Sequence, residues 1–103
     1  MSFKDFPYKD FDGNHWPDTY LNNEEYYAID YSEWASEEND AVVSVSWNVP
    51  AGLLGSDSHE TGGKAYVKLK AEARGNFRVV CTLTSEEGGK QQKKVVEMLL
   101  KVY

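Results

Sequence analysis

Two histidines, one cysteine and seventeen carboxylates are the groups in this chain with the chemistry for catalysis or metal binding. The densest cluster is Ser56-Asp57-Ser58-His59, which contains the residue types of a hydrolytic triad. A triad needs a base held rigidly against its nucleophile by a third group. Four consecutive residues in one polar stretch do not provide that, and they read as a solvated loop. Asp10-Phe11-Asp12-Gly13-Asn14 opens like a calcium loop. An EF-hand, however, requires Gly at the sixth position and Glu at the twelfth, where this chain has His15 and Leu21. His15, Asp18 and Glu24 are three mixed ligands without the spacing of a zinc site. Gly62-Gly63-Lys64 lacks the remainder of a phosphate-binding loop. Cys81 falls on the inward side of an alternating stretch and reads as a small core residue. The residues therefore predict no catalytic group, no metal site, no cofactor and no enzyme.

Bulk properties narrow the classes further. A chain of 103 residues makes one small domain, and folding buries only about two-thirds of the surface its unfolded form exposes. Its aromatic share of 14% suits a core that must use few residues well. No apolar run approaches the length of a membrane span, and "MSFKDFPYKDF" lacks the basic-then-apolar layout of a signal peptide. The single cysteine excludes an intrachain disulfide and fits synthesis in a reducing cytoplasm. Charge is unevenly placed, with a net of −9 over residues 1–40 and +3 over residues 41–103. An acidic whole argues against nucleic-acid binding, which rests on phosphate neutralisation. The asymmetry predicts that the front of the chain lies against basic surface, its own or a partner's.

The elements that must position these residues are strands. "EYYAIDYSEW" places Tyr27, Ile29 and Tyr31 on one face and Tyr26, Ala28 and Asp30 on the other. A polar turn, "ASEENDA", follows. Residues 41–49 alternate with Ala41, Val43, Val45, Trp47 and Val49 inward, the pattern of a sheet with one buried face. Pro50 cannot donate to a ladder and ends that strand, and Gly52 turns the chain. "LLGSDSHETGG" reads as a short strand and a loop. Next, Ala65, Val67, Leu69 and Ala71 alternate inward with Lys64, Tyr66, Lys68 and Lys70 outward. Phe77, Val79, Cys81 and Leu83 repeat the device, and Gly88-Gly89 makes a hairpin turn. "KQQKKVVEMLLKVY" has helical residue preferences. Its alternate face of Val96, Met98, Leu100 and Val102, following that turn, predicts a closing strand instead. Six or seven short strands predict an all-β fold of two packed antiparallel sheets, with Trp47 plugging one end of the sandwich.

Residues 1–23 differ from the remainder. Phe3, Phe6, Tyr8, Phe11, Trp16 and Tyr20 are spread through a stretch interrupted by Pro7 and Pro17, with no helical or strand period. The expected division is an extended aromatic arm over residues 1–23 and a sandwich over residues 24–103. The arm's six aromatics are the candidate partner-binding residues. They either strap this chain's own sandwich or anchor in pockets of a neighbouring subunit.

The run "YAIDYSEW", then "SVSWNVPAGL", "SDS", "AYVKL" and "GNFRVVCTLTSEEGG" resembles a widespread family of small tailed-phage and prophage proteins. In that family a strand and turn of pattern S-x-W-x-V-P-x-G-L precede a V-x-x-T-x-T strand and a Gly-rich hairpin. The likeness covers roughly residues 26–102. It departs from the pattern at "AEARGNF", at "KKVVEMLLKVY" and throughout residues 3–20. What the resemblance implies is an immunoglobulin-like β-sandwich in a bacteriophage virion structural protein, made in the host cytoplasm. The expected role is a capsid decoration, or cement, protein on the capsid surface. Its partners would be the major capsid protein and possible further copies of itself, with no direct nucleic acid and no membrane. One alternative is a structural protein of the neck, tail tube or fibre. Another is a carbohydrate-binding module using Trp16, Tyr20, Tyr26, Tyr31 and Trp34 as a stacking platform.

Overall fold

The computed structural model describes residues 15–39 and 41–103. Six strands and one short helix follow in the order β1 (Glu24–Asp30), α1 (Ser32–Glu37), β2 (Val42–Asn48), β3 (Leu53–Thr61), β4 (Lys64–Ala71), β5 (Gly75–Glu87) and β6 (Lys90–Val102). They form two antiparallel three-stranded sheets, ordered β1-β4-β3 and β2-β5-β6. These are the B-E-D and C-F-G orders of an immunoglobulin sandwich. The expected all-β sandwich of two antiparallel sheets is therefore present, with six strands among the described residues.

The period of two explains the packing directly. Along β4 buried and half-buried positions alternate without a break, and Ala65, Val67 and Leu69 lie opposite Ile29, Tyr27 and Glu25 of β1. Tyr27, Ile29, Val67, Leu69, Val79, Cys81 and Leu83 are all buried, as their alternation predicts. Val45, Trp47 and Phe77 are half-buried and pack against that cluster. The last segment is a strand, pairing with β5 along all thirteen of its residues. It buries Val96, Met98, Leu100 and Val102. Its helical preferences yield because a helix would scatter those four residues around its circumference, whereas a strand puts them all in the core.

Four expectations need correction. Val43 is not core: it is 59% exposed. A bulge between Val42 and Ser44 adds one residue against β5, so Val43 leaves the parity shared by Val45 and Trp47. Residues 15–23 are not part of an arm, because they are built into the sandwich. Trp16, Thr19 and Leu21 donate backbone N–H groups to the carbonyls of Leu99, Lys101 and Tyr103 at 2.9–3.0 Å. His15 and Thr19 form parallel bridges with Leu99 and Val102. The chain then crosses to the other sheet, where Asn22 N–H donates to the Ala71 carbonyl and Ala71 N–H to the Asn23 carbonyl. The strand expected to run through Trp34 stops at Asp30, and Ser32–Glu37 form a short helix in its place; the Asp30 carboxylate accepts from the Ser32 N–H at 2.9 Å. Finally, residues 53–61 form a full strand, bulged between Ser56 and His59 where Asp57 adopts φ 49°.

The corner after Trp47 depends on Gly52. At φ 103° it occupies backbone space that side chains rarely adopt, and an added Cβ would lie 2.5 Å from the Phe77 ring. Its carbonyl accepts from the Glu72 and Ala73 N–H groups, tying the β2–β3 turn to the β4–β5 corner.

Candidate functional site

Among the described residues no group of three or more His, Cys, Asp or Glu could hold a metal ion. No helix among the described residues is long and apolar enough to cross a membrane. Ser56, Asp57, Ser58 and His59 lie at the β3 bulge. The Asp57 carboxylate accepts from the Tyr26 hydroxyl, which pushes that phenol's pKa upward. The His59 ring stacks on Tyr66 with centroids 5.0 Å apart, and its Nδ1 lies 3.3 Å from the Asp57 carbonyl. The cluster is thus organised by packing across the outer face of the β1-β4-β3 sheet, where Tyr26, Lys68 and Ser56 share one cross-strand row and Ala28, Tyr66 and His59 the next. Lys68 Nζ sits 5.5 Å from the Tyr26 ring centroid and 3.4 Å from the Glu24 carboxylate. Gly62 and Gly63 form the β3–β4 turn. Burial in a low-dielectric core holds the Cys81 thiol up at about 12, and the same cause raises Tyr27 to about 12.

The six candidate partner-binding aromatics divide three ways. Phe3, Phe6, Tyr8 and Phe11 lie outside the described residues. Trp16 is not available to a partner, because it is completely buried in this chain's own core. Its ring lies 4.8 Å from that of Tyr27, and its indole N–H donates to the Ala28 carbonyl at 3.1 Å. Among the described residues β1 pairs with β4 alone, so this bond satisfies a backbone acceptor on the side of β1 away from β4. Tyr20 is 64% exposed, with the Tyr103 ring 5.9 Å away. The sugar-stacking platform is not assembled: Trp16, Tyr26 and Tyr31 are all buried.

Two features go beyond the sequence reading. The acidic front is expected against basic surface, and the structure makes its register specific: Glu24 and Asp30 of β1 stand opposite Lys70 and Lys64 of this chain's own β4. Nothing in the local sequence announces a register between strands about 40 residues apart. The second is a cleft of about 380 Å³ between the edges of β2 and β3, lined by Val45, Trp47, Val49, Gly55, Asp57 and Val67 among others. Trp47 lines it, and the buried Nε1–H of that residue has no acceptor. The signal for it was the uncharged run of β2 beside a Gly-containing polar strand.

Searches against protein-family models, curated proteins and solved structures return no match to this chain. The likeness to small phage proteins therefore rests on the quoted residues alone, and the sandwich on its own strand order.

Proposed function

We propose that this chain is a bacteriophage virion structural protein, and specifically a capsid decoration protein that binds the assembled head and bridges major capsid subunits. The observation that carries the reading is the way residues 15–21 are fastened. Trp16 is buried, and backbone N–H bonds from Trp16, Thr19 and Leu21 to Leu99, Lys101 and Tyr103 fix this segment, so the stretch whose sequence carries Phe3, Phe6, Tyr8 and Phe11 is joined to the sandwich at a fixed residue, His15. Aromatic side chains joined to a rigid domain at a fixed point suit anchoring in a neighbour's pockets, where a few buried rings supply most of the binding energy. The immunoglobulin-like sandwich and the W-x-V-P-x-G-L turn from Trp47 to Leu53 agree with the phage family that the sequence resembles.

The test is co-sedimentation with assembled, undecorated phage shells. The full chain is compared with a full-length variant carrying Phe3→Ser, Phe6→Ser, Tyr8→Ser and Phe11→Ser. Pelleting with shells but not with free capsid subunits, and at least tenfold weaker in the variant, is the expected result. Equal binding by both proteins would remove the role of the aromatic stretch. Failure of the unmodified chain to bind any shell would remove the decoration reading and favour the neck, tail or fibre.

A further inference from the structure

The four sheet edges are not protected alike. β6 is covered along its last residues by residues 15–21 and carries Lys90, Lys93 and Lys94 near its start. The Ala28 carbonyl of β1 is taken by Trp16, and Asn22 and Asn23 continue the pairing beside Ala71. β3 is broken by its bulge and by Asp57 in a left-handed conformation. Bulges, charges and covering segments are the usual devices that stop an edge from recruiting another strand. β2 has none of them over residues 44–48. It reads Ser-Val-Ser-Trp-Asn, without a charge or a proline, and among the described residues it pairs with β5 only. Larger sandwiches of this plan place additional strands on this same edge of the C-F-G sheet, so a strand fits there sterically.

We infer that the β2 edge is a self-association surface whose occupant is β2 of a second copy, paired antiparallel about Ser46. The bulge at Val42/Ser44 and Pro50 bracket the usable stretch, and Ser46 stands at its centre. A two-fold axis through Ser46 sets Ser46 against Ser46 of the other copy, Val45 against Trp47, and Ser44 against Asn48. This register keeps both faces consistent. Val45 and Trp47 continue the inner face, and Ser44, Ser46 and Asn48 continue the uncharged outer row formed with Thr84, Thr82 and Val80. Charge favours the same edge: each copy carries a net −6, so two copies approach most readily along a strand that itself carries no carboxylate. Val45 of the second copy also lands beside Trp47, which lines the open cleft and has its indole N–H unpartnered. The interface is isologous and closes at two copies. One strand edge buries less than the roughly 1,200 Å² of a stable complex, so the association is weak and dependent on concentration.

Sedimentation velocity of the full chain over increasing concentration tests this. A monomer–dimer equilibrium half-complete in the range of about 10–500 μM is expected. Ser46→Lys places two like charges face to face at the axis and is expected to weaken the dimer at least tenfold. Ser46→Cys provides a reading that does not depend on that variant's folding. Directly opposed residues of an antiparallel pair have Cα atoms about 4.5–5.5 Å apart, within disulfide range. Mild oxidation of Ser46→Cys should give a covalent dimer, whereas Thr84→Cys, on the neighbouring strand, should not; native Cys81 is buried and does not interfere. A chain that stays monomeric up to about 1 mM would overturn the inference. So would a dimer that forms undiminished with Ser46→Lys and fails to cross-link through position 46.

Discussion

Trp16 occupies a stretch with a flanking proline and no strand period, yet its side chain is fully buried. Pattern reading fails at such a position because residues 15–21 touch β6 through two isolated bridges rather than a continuous ladder. No alternation is imposed on the side chains between those bridges. What holds Trp16 is nonlocal: the Tyr27 ring, the Trp47 ring at 6.3 Å and the Ala28 carbonyl. Trp16→Ala should therefore behave as a core truncation, destabilising the domain by about 3–5 kcal/mol in equilibrium urea unfolding. For a domain whose total stability is on the order of 5–15 kcal/mol, that is a large fraction. A loss below about 0.5 kcal/mol, the size seen for surface substitutions, would return Trp16 to the arm. Val79, Cys81 and Leu83, by contrast, were legible as core from alternation alone, because a continuous ladder on β5 enforces it.

Strand identity was readable wherever pairing is unbroken, and misread wherever the chain inserts a residue. β4 and β5 follow strict alternation, and β6 follows it despite composition that favours a helix. At β2 the bulge rotates Val43 outward, although Val43 and Val45 look equivalent in sequence. A bulge is chosen by the fit between two strands, so only the partner strand reveals it. Val43 separates experimentally from a core position on the facing strand. Val43→Ala is expected to alter stability by no more than about 0.5 kcal/mol. Leu83→Ala, at a position with no exposed surface, should cost about 2–5 kcal/mol. Denaturant midpoints of the two variants, measured beside the unmodified chain, decide it. Equal losses would mean that Val43 belongs to the core and that the β2 register lacks the bulge. The helix α1 was missed for a different reason: it is only six residues long, begins on an Asp30 side-chain bond and buries none of its residues. So short a helix carries no period to detect.

For the molecule as a whole, a sandwich without a disulfide relies on a dry core, and that core holds ionisable groups in their neutral forms. Burial raises the Cys81 thiol from 9.0 to about 12 and the Tyr27 phenol from 10.0 to about 12, and it pushes Tyr31 in the same direction. Each group is an acid that holds its proton more tightly in the folded state than in the unfolded one. The stability linked to this is fully present below pH 9, where both states are protonated, and is lost as pH rises through the folded values near 12. Denaturant midpoints are thus expected to stay level up to about pH 9 and then to fall steadily, because the unfolded chain releases protons that the folded one retains. Cys81→Ala should delay the onset by about one pH unit, to the range where tyrosine alone ionises in the unfolded chain. The same burial makes Cys81 inert to a thiol reagent at pH 8 in the native protein and fully reactive in denaturant, since the nucleophile is the thiolate. Native reactivity at pH 8, or a midpoint unchanged at pH 11, would show that water reaches the space between the sheets. In that case the packing of Trp16, Trp47 and Cys81 would not be what holds this sandwich closed.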